Sequence, residues 1–393
     1  MLFKREVMSK CRAICISFLM SVSCSAIAVS FFDPLDGQLD MGEYLAENAY
    51  GFLPVPIVIT EPALGYGGGF MGVFLHESEE QKLKRKSMAE KSVDGGAQLL
   101  TPAITVAGGF TTENGTKAMF IGHRRSWNKD HIRYMGGMFY GDMNMNFYGS
   151  YAQSSNGFEM NMKGGGAMQK LQFRIKDTPL FLGITQTFIR PELSVNNRKY
   201  LNEIAAKWLN LTPNVSGLGL IAEYDTQNSF LYPTEGGNYV AEYNVFNDVI
   251  GSDYDFELIS LNGKHYFPIN KEWNVGVKGS FKGITTDERA LPPSAYPDID
   301  MRGIARNRYQ GEVTATIESQ LTWQFTSRWS TSIFGGVGSA TDTETPLFSQ
   351  DNHYAYGAGF RYLIARRYGM RAGIDVAKSE EDNALYFQVG TGF

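Results

Sequence analysis

Residues 312–324 read Glu312-Val313-Thr314-Ala315-Thr316-Ile317-Glu318-Ser319-Gln320-Leu321-Thr322-Trp323-Gln324, and two kinds of residue alternate along this stretch. Every second residue is acidic or polar, and the residues between them are mostly apolar. A period of two predicts a strand with one wet face and one apolar face. Soluble strands usually have about five or six residues, whereas a tilted membrane strand needs about 9 to 11. The stretch therefore has the length and pattern of a strand that crosses a bilayer.

The same alternation recurs along most of the chain, and the whole predicts an all-β fold. We expect a transmembrane antiparallel up-and-down β-barrel of sixteen strands, an even number being typical of bacterial single-chain barrels. The predicted strands lie near residues 64–76, 98–110, 116–125, 131–141, 144–152, 157–175, 179–190, 214–225, 237–246, 255–267, 272–283, 309–325, 328–338, 354–364, 368–377 and 385–393.

Four charged residues fall on the polar faces of these strands: Lys278, Arg361, Arg371 and Asp375. An Arg or Lys at the bilayer midplane costs roughly 2–4 kcal/mol when it faces lipid. We therefore expect these four side chains to line a polar lumen of mixed sign.

The connections divide by length. Short turns such as Thr326-Ser327 and Asn270-Lys271 alternate with longer segments, and barrels of this class keep short turns in the periplasm and long loops outside. Both termini are then predicted to be periplasmic. The long outer loops are expected at residues 77–97, 191–213, 284–308 and 339–353.

The first 28 residues are predicted to be a signal peptide for Sec-dependent export. They contain a basic start, an apolar stretch and the A-x-A sequence Ala26-Ile27-Ala28. A lipoprotein signal through Cys24 is the rival interpretation, although Ser21 stands where leucine is usual. The cysteines at positions 11, 15 and 24 all lie in this segment, so the exported chain should contain no thiol or disulfide.

Residues 29–60 differ from the rest and are predicted to be a short periplasmic lead-in before a barrel at 61–393. Acidic residues alternate with apolar ones there, and Pro54 and Pro56 follow. A helical turn or two near residues 41–50 and a disordered tail both remain open.

Charge and motifs exclude several functions. The chain has a formal net charge of −5, and removing the predicted leader, with four basic residues and one acidic residue, makes it −8. That balance disfavours nucleic acid as a partner. The five histidines show no metal-ligand spacing, and no nucleophile elbow of the G-x-S-x-G type occurs. We expect no enzyme activity, no cofactor and no metal, and contact with outer-membrane lipids.

Three groups of motifs stand out in the C-terminal half. Asp300-Met301-Arg302-Gly303-Ile304 ends the long segment before the quoted strand. Upstream are Glu223-Tyr224-Asp225-Thr226 with Tyr232-Pro233-Thr234-Glu235-Gly236, and then His265-Tyr266-Phe267-Pro268. With them the chain resembles the BamA/TamA-like bacterial surface antigen family, outer-membrane barrels whose best-known members fold other barrels into the membrane or move polypeptide across it. The N-terminal half matches only as a strand pattern.

The resemblance implies roles for residues in the Arg-Gly loop. In that family the loop folds back into the barrel, and acidic residues on the following strands hold its arginine. Arg302 would take that role beside Gly303, with Glu312 or Glu318 as its partner, since a buried arginine needs a carboxylate. The next strand departs from the family because Gly336 stands where many members carry an aspartate.

The final strand has alternating apolar residues at Leu385, Phe387, Val389 and Phe393. It resembles the signal by which the barrel assembly machinery accepts its clients, and it also suits a lipid-facing last strand.

Two functions remain open on the sequence. The resemblance implies a role in outer-membrane protein assembly or transport in a Gram-negative bacterium. Assembly members carry periplasmic modules of many tens of residues, and residues 29–60 are too few for one, so a periplasmic partner protein would have to supply them. The alternative is a passive pore or a structural or receptor barrel without insertase activity.

Overall fold

The computed structural model describes residues 31–47, 52–61, 63–91, 99, 102–147, 158–195, 211–349 and 352–389. Within these ranges, sixteen antiparallel strands form one sheet, and each strand pairs with the next one along the chain. The sheet curves until the last strand lies beside the first, which gives a nearly closed barrel. The predicted fold class and strand number are confirmed.

The strands are β1 (Phe52–Ile59), β2 (Gly67–His76), β3 (Ala103–Thr112), β4 (Lys117–Trp127), β5 (Ile132–Phe147), β6 (Phe158–Arg174), β7 (Leu180–Val195), β8 (Val215–Asp225), β9 (Gly236–Phe246), β10 (Phe256–Pro268), β11 (Trp273–Thr285), β12 (Val313–Gln324), β13 (Trp329–Thr341), β14 (His353–Ala365), β15 (Met370–Ser379) and β16 (Asn383–Val389).

The alternation in β12 separates the two faces of the wall as predicted. Thr316, Glu318 and Gln320 are buried on the lumen side, whereas Ile317 and Trp323 are exposed on the outer side. The outer wall elsewhere presents exposed tyrosine, phenylalanine, isoleucine and methionine side chains. The period-two pattern of β12 therefore places apolar side chains on the outer surface and polar ones on the lumen side.

One strand was predicted as two and another was missed, and the two errors cancel in the count. The predicted strand 131–141 and the first part of the predicted strand 144–152 lie in the single strand β5, which ends at Phe147, and residues 148–152 lie outside the described ranges. The strand β1, in contrast, lies in residues assigned to the lead-in, so the barrel wall begins at Phe52 rather than after residue 60. Pro54 and Pro56 suggested a break, but proline is tolerated in an edge strand.

The missed strand β1 also explains a wrong loop assignment. Connections from even-numbered to odd-numbered strands, such as 269–272 and 325–328, all lie at one end of the barrel, which we call the turn end. The other end is the loop end. The connection after β2 belongs to the turn end, so the segment 77–97 does not join the long loops at 196–214, 286–312 and 342–352.

The described part of the chain has two α-helices at the turn end: α1 (Gly42–Glu47), next to β1, and α2 (Glu79–Ala89), after β2. Ser78 and Gln81 form a reciprocal capping box that starts α2. Leu45 of α1 packs inside the barrel with Leu53, Val73 and Met370. A short helix in the lead-in agrees with one of the two alternatives. Neither described helix has the length and hydropathy to cross a bilayer.

The predicted signal peptide at residues 1–28 and the final Phe393 lie outside the described ranges. Their assignment remains a prediction.

Candidate functional site: an inward loop and the β1–β16 seam

The connection between β11 and β12 enters the barrel as a hairpin. A bridge pairs Asp298 with Gln310, and the Ile299 N–H donates to the Tyr309 carbonyl at 3.0 Å. Ile299, Met301 and Ile304 are buried against the inner wall. The hairpin, residues 298–310, is called the inward loop below.

Glycine is required at the tip of the inward loop. Gly303 has φ of +93°, in the left-handed region that side chains rarely adopt. A Cβ atom at this position would lie 3.2 Å from the Cβ atoms of Ala355 and Ala377. The missing side chain thus lets the tip lie close against β14 and β15.

Arg302 is held by two carboxylates on different strands. Its Nε and Nη2 donate to Glu318 Oε1 at 3.1 and 2.8 Å, and its Nη1 donates to Asp375 Oδ2 at 3.0 Å. The guanidinium lies 3.6 Å from the centroid of the Phe334 ring. These contacts join the inward loop to β12, β13 and β15.

Asp375 is shared between two arginines. Its side chain is fully buried, and Arg361 donates to both of its oxygens at 2.6 and 2.8 Å. Arg361 also donates to Gln388 Oε1 of β16 at 2.7 Å. A buried charge without a partner is expensive, so Arg302 and Arg361 both depend on this one carboxylate.

Of the two acids predicted to hold Arg302, the structure brings only Glu318 to it. Glu312 lies just before β12 at the loop end, and its Oε2 accepts from the Thr343 N–H and hydroxyl at 3.0 and 2.9 Å. The prediction of Glu312 as an alternative partner was wrong because alternation fixes the face of a residue but not its depth in the barrel.

The structure also explains the glycine at position 336. Gly336 lies opposite Glu318 in the strand register, and a Cβ atom there would lie 2.5 Å from Met301 Sδ. The second carboxylate comes instead from Asp375, two strands further along the sheet. The inward loop thus occupies the space that a larger residue at 336 would need.

The other residues predicted to line the lumen are on its side of the wall. Lys278 is in register with Glu318 and with Lys264. Arg371 is buried, donates to the Arg328 carbonyl at 3.1 Å and lies 4.8 Å from the centroid of the Tyr232 ring. Their positions agree with the alternation, while their functional roles remain predictions.

Within the described residues, no hydrogen-bonded ladder joins β1 to β16. Proline lacks an N–H group, so Pro54 and Pro56 fit only where their nitrogens point away from β2, which is toward β16. Two of the donors that a ladder would use are therefore missing from the β1 edge. We call this junction the seam.

The inward loop contacts both sides of the seam at the loop end. On the β16 side, the Gly303 N–H donates to the Tyr386 hydroxyl at 3.0 Å and the Ala305 N–H to Asp382 Oδ2 at 3.1 Å. On the β1 side, the Arg306 N–H donates to Glu61 Oε1 at 3.0 Å. Burial raises the pKa of Glu61, and the hydrogen bond from Arg306 opposes that effect.

A second set of contacts holds the turn end. Asp33, Asp36 and Asp40 surround Arg328, which is fully buried in the turn between β12 and β13. Asp33 also binds Arg366, in the turn between β14 and β15. Burial would raise the pKa of Asp33, but Arg366 and Arg328 lower it below its ordinary value. We call this group the acidic clamp.

Helix α2 extends these contacts across the seam. Arg366 donates to the Ala89 carbonyl at the end of the helix. Glu77, just before the helix, accepts from Arg85 Nε at 2.8 Å and from the Tyr368 hydroxyl at 2.9 Å. The segment that follows β2 is thereby fastened to the turn that precedes β15.

Several of these partners were not predicted from the sequence. The alternating acids of the lead-in are visible in the sequence, but Arg328 is predicted to begin the strand 328–338, and Arg366 falls in the short connection between the predicted strands 354–364 and 368–377. An arginine beside a tight turn, opposite an acidic segment of unknown position, was the available signal. Glu61 and Asp382 gave no signal, because single acids in loops are common.

The predicted C-terminal signal lies on the outer face of β16. Phe387 and Val389 are exposed and Leu385 is half-buried, whereas Tyr386 and Gln388 face the lumen. The alternation therefore places an apolar edge toward the outside.

Comparison with known proteins supports the fold alone. No family model matches the chain, and no curated protein matches it. Among solved structures, BamA from Haemophilus ducreyi lacking POTRA domains 1-3 is similar, with a TM-score of 0.54 and 14% identity, over 86% of this chain and 68% of that one. CdiB from Acinetobacter baumannii (TM-score 0.53, 9% identity) and CdiB from Escherichia coli (0.51, 10%) are similar over 86% of this chain and 59% and 61% of theirs.

Proposed function

We propose that this protein is a barrel of a Gram-negative outer membrane that inserts or translocates polypeptide through its seam. The observation that carries the proposal is the inward loop, whose Arg302 is locked to Glu318 and Asp375 while its tip contacts both sides of the seam. A loop attached in this way can couple the state of the lumen to the state of the seam.

The edges of the seam support the same proposal. β1 offers fewer donors than an ordinary edge strand, because Pro54 and Pro56 have no N–H. Among the described residues, the hydrogen bonds that close the seam come from loops and turns rather than from a ladder. A junction held by a few side-chain bonds separates at lower cost than one held by a full ladder of strand hydrogen bonds.

A direct test measures how fast a denatured client barrel folds into liposomes that contain the purified protein. Acceleration over empty liposomes is expected, and Arg302→Ala should abolish it. Arg306→Gln is the matched control: it changes an exposed arginine of the same loop and leaves the backbone N–H that binds Glu61. Acceleration that survives Arg302→Ala would contradict the role assigned to this residue.

A second experiment tests the seam without disturbing the inward loop. Residues 31–393 contain no cysteine, so Val58→Cys on β1 and Phe387→Cys on β16 introduce the only thiols there. Both positions are exposed on the outer wall. Joining them with a cleavable cross-linker should stop the acceleration, and cleavage should restore it. Unchanged acceleration with the seam cross-linked would overturn the proposal.

Absence of any acceleration would favour the alternative, a passive or receptor barrel. Conductance in planar bilayers then distinguishes a pore from a sealed barrel.

A further inference from the structure

A large part of the lumen is apolar, contrary to the expectation of a polar interior. On the side formed by β3 to β10 lies a cavity of about 840 Å³, which we call the apolar chamber. Among the residues that line it are Met135, Met143, Met162, Met168 and Phe139. All five fall on the lumen side of the wall by the register of β5 with β6.

The chamber has the size and composition of a ligand site. Small-molecule sites usually enclose about 300–1,000 Å³ and are lined by apolar side chains with a few polar groups. Methionine is flexible and polarisable, and it suits ligands whose shape varies. Met135 and Met168 are substantially exposed although they face the interior, so the space beside them is not filled by described residues.

The chamber also contains cations that lack a carboxylate. Arg124 lies 3.8 Å from the centroid of the Phe230 ring and forms no salt bridge with any described acidic residue. Lys170, in register with Met135, likewise has no salt bridge within the described ranges. Glu242 is the one acidic residue among the described lining residues, and it lies on β9. The described lining thus has an excess of positive charge.

Arg133 is a structural arginine in the same part of the barrel, and carboxylates bind it. It donates to Asp130 Oδ1 and Oδ2 at 2.9 and 2.6 Å and to Asp225 Oδ2 at 2.8 Å, at the turn end of the same part of the barrel. Arg124, one strand away, has no such partner. An arginine stacked on an aromatic ring beside an apolar space is suited to receive an anionic group.

We propose that the apolar chamber binds a single-chain lipid anion, with the hydrocarbon chain against the methionines and the anionic head group at Arg124 and Lys170. The chemistry fits a fatty acid or a lysophospholipid equally well, since each combines one chain with a negative charge. None of the described lining residues belongs to β1 or β16, and the chamber shares with the connection that carries the inward loop only Pro292, Ser294 and Ala295.

The test uses a fatty acid with a diazirine at its chain end, photocross-linked to the full protein in liposomes and mapped by mass spectrometry. Saturable labelling of lumen residues such as Met143 and Met162 is expected, and oleate should compete. Oleyl alcohol, which lacks the charge, should compete at least about tenfold less well, equivalent to about 1.4 kcal/mol. Labelling confined to outer-wall residues such as Met119 and Met138, or equal competition by the alcohol, would overturn the proposal.

Two variants separate the head-group contact from the cavity. Arg124→Gln should weaken labelling about tenfold, while Arg125→Gln, the adjacent residue with its side chain on the outer face, should leave it unchanged. Met168→Trp fills the chamber from an exposed position and should abolish labelling even if Arg124→Gln fails to fold. Labelling that persists in Met168→Trp would contradict the site. Competition by lysophosphatidylglycerol or by oleate, whichever is stronger, identifies the head group.

Discussion

The lumen differs between two halves of the barrel: the side of β12 to β16, which we call the charged half, is occupied by protein, and the side of β3 to β10 is open. On the side of β12 to β16, the inward loop occupies the space, and Arg302 and Arg361 are neutralised by Glu318 and Asp375. On the side of β3 to β10, apolar side chains line an open chamber, and Arg124 has no carboxylate partner among the described residues. The first arrangement fixes a segment in place, and the second leaves room for a ligand. Stability should therefore depend far more on the charged half.

The largest effect is expected from Asp375→Asn, because Arg302 and Arg361 both lose their shared carboxylate. Breaking a buried ion pair by removing one partner costs about 3–5 kcal/mol. Urea unfolding in lipid vesicles, followed by tryptophan fluorescence, measures the change in unfolding free energy. Asp342→Asn, at an exposed turn of the loop end, should change it very little. Similar effects of the two substitutions would show that the buried ion pairs of Arg302 and Arg361 stabilise the barrel no more than an exposed turn does.

The acidic clamp should respond to pH without unfolding the barrel. Hydrogen bonds from Arg328 lower the pKa of Asp36 although burial opposes them, and Asp33 is lowered in the same direction. A carboxylate with a lowered folded pKa contributes stability above its unfolded value, here 3.8, and loses it as the pH falls through the folded value. The clamp should thus hold at neutral pH and release below about pH 3.8.

Release can be followed with a spin label at Leu35→Cys, an exposed position between Asp33 and Asp36. Label mobility should rise as the pH falls below the ordinary aspartate range, and Arg328→Gln should produce the mobile spectrum already at pH 7. A label at Tyr354→Cys on the outer wall should not change. A Leu35→Cys label that stays immobile at low pH would mean that apolar contacts, not the aspartates, hold the segment.

The sequence predicted which face of the barrel wall a residue occupies better than it predicted which charged side chains form ion pairs. Alternation alone placed Glu318, Asp375 and Arg361 in the lumen, because a strand has only two faces. Alternation could not give the depth of a residue in the barrel. Glu312 and Glu318 were therefore equally acceptable as predicted partners of Arg302. Alternation also could not pair residues far apart in the chain: Arg302 and Asp375 are separated by 73 positions, and Asp33 and Arg328 by 295.

The strand errors have a similar physical origin. Proline in β1 is compatible with the sheet only because the strand is an edge, and being an edge is a property of the whole barrel. The apolar chamber was missed because apolar lumen residues in β5 and β6, such as Met143 and Met162, make both faces of these strands look alike. Where both faces are apolar, alternation gives no signal.

Gly336→Ala perturbs the packing of the inward loop in the charged half without removing a carboxylate. The added methyl group would meet Met301 Sδ at 2.5 Å and the Ile317 carbonyl oxygen at 2.6 Å, so the inward loop or the strand must shift. Overpacking of this kind typically costs about 1–3 kcal/mol. Gly335→Ala is the matched control, because its methyl group would face the outer side at ordinary contact distances of 3.5 and 3.7 Å. Equal urea midpoints for the two variants would show that the inward loop is not packed against β13.

The smallest effect is expected from Glu312→Gln, and it sharpens the comparison within the charged half itself. Glu312 is linked to the exposed Thr343 at the mouth of the barrel, so the substitution removes a charge-assisted bond that water can replace, at a cost of about 1 kcal/mol or less. Glu318→Gln, six residues deeper in the same chain segment, leaves Arg302 without one of its two carboxylates and should cost several times more. The ratio of the two unfolding free-energy changes, measured under identical conditions, reports how much more a carboxylate stabilises the barrel when it lies deeper in the lumen. Equal changes would mean that Arg302 draws its stability from Asp375 alone and that Glu318 is dispensable to the inward loop.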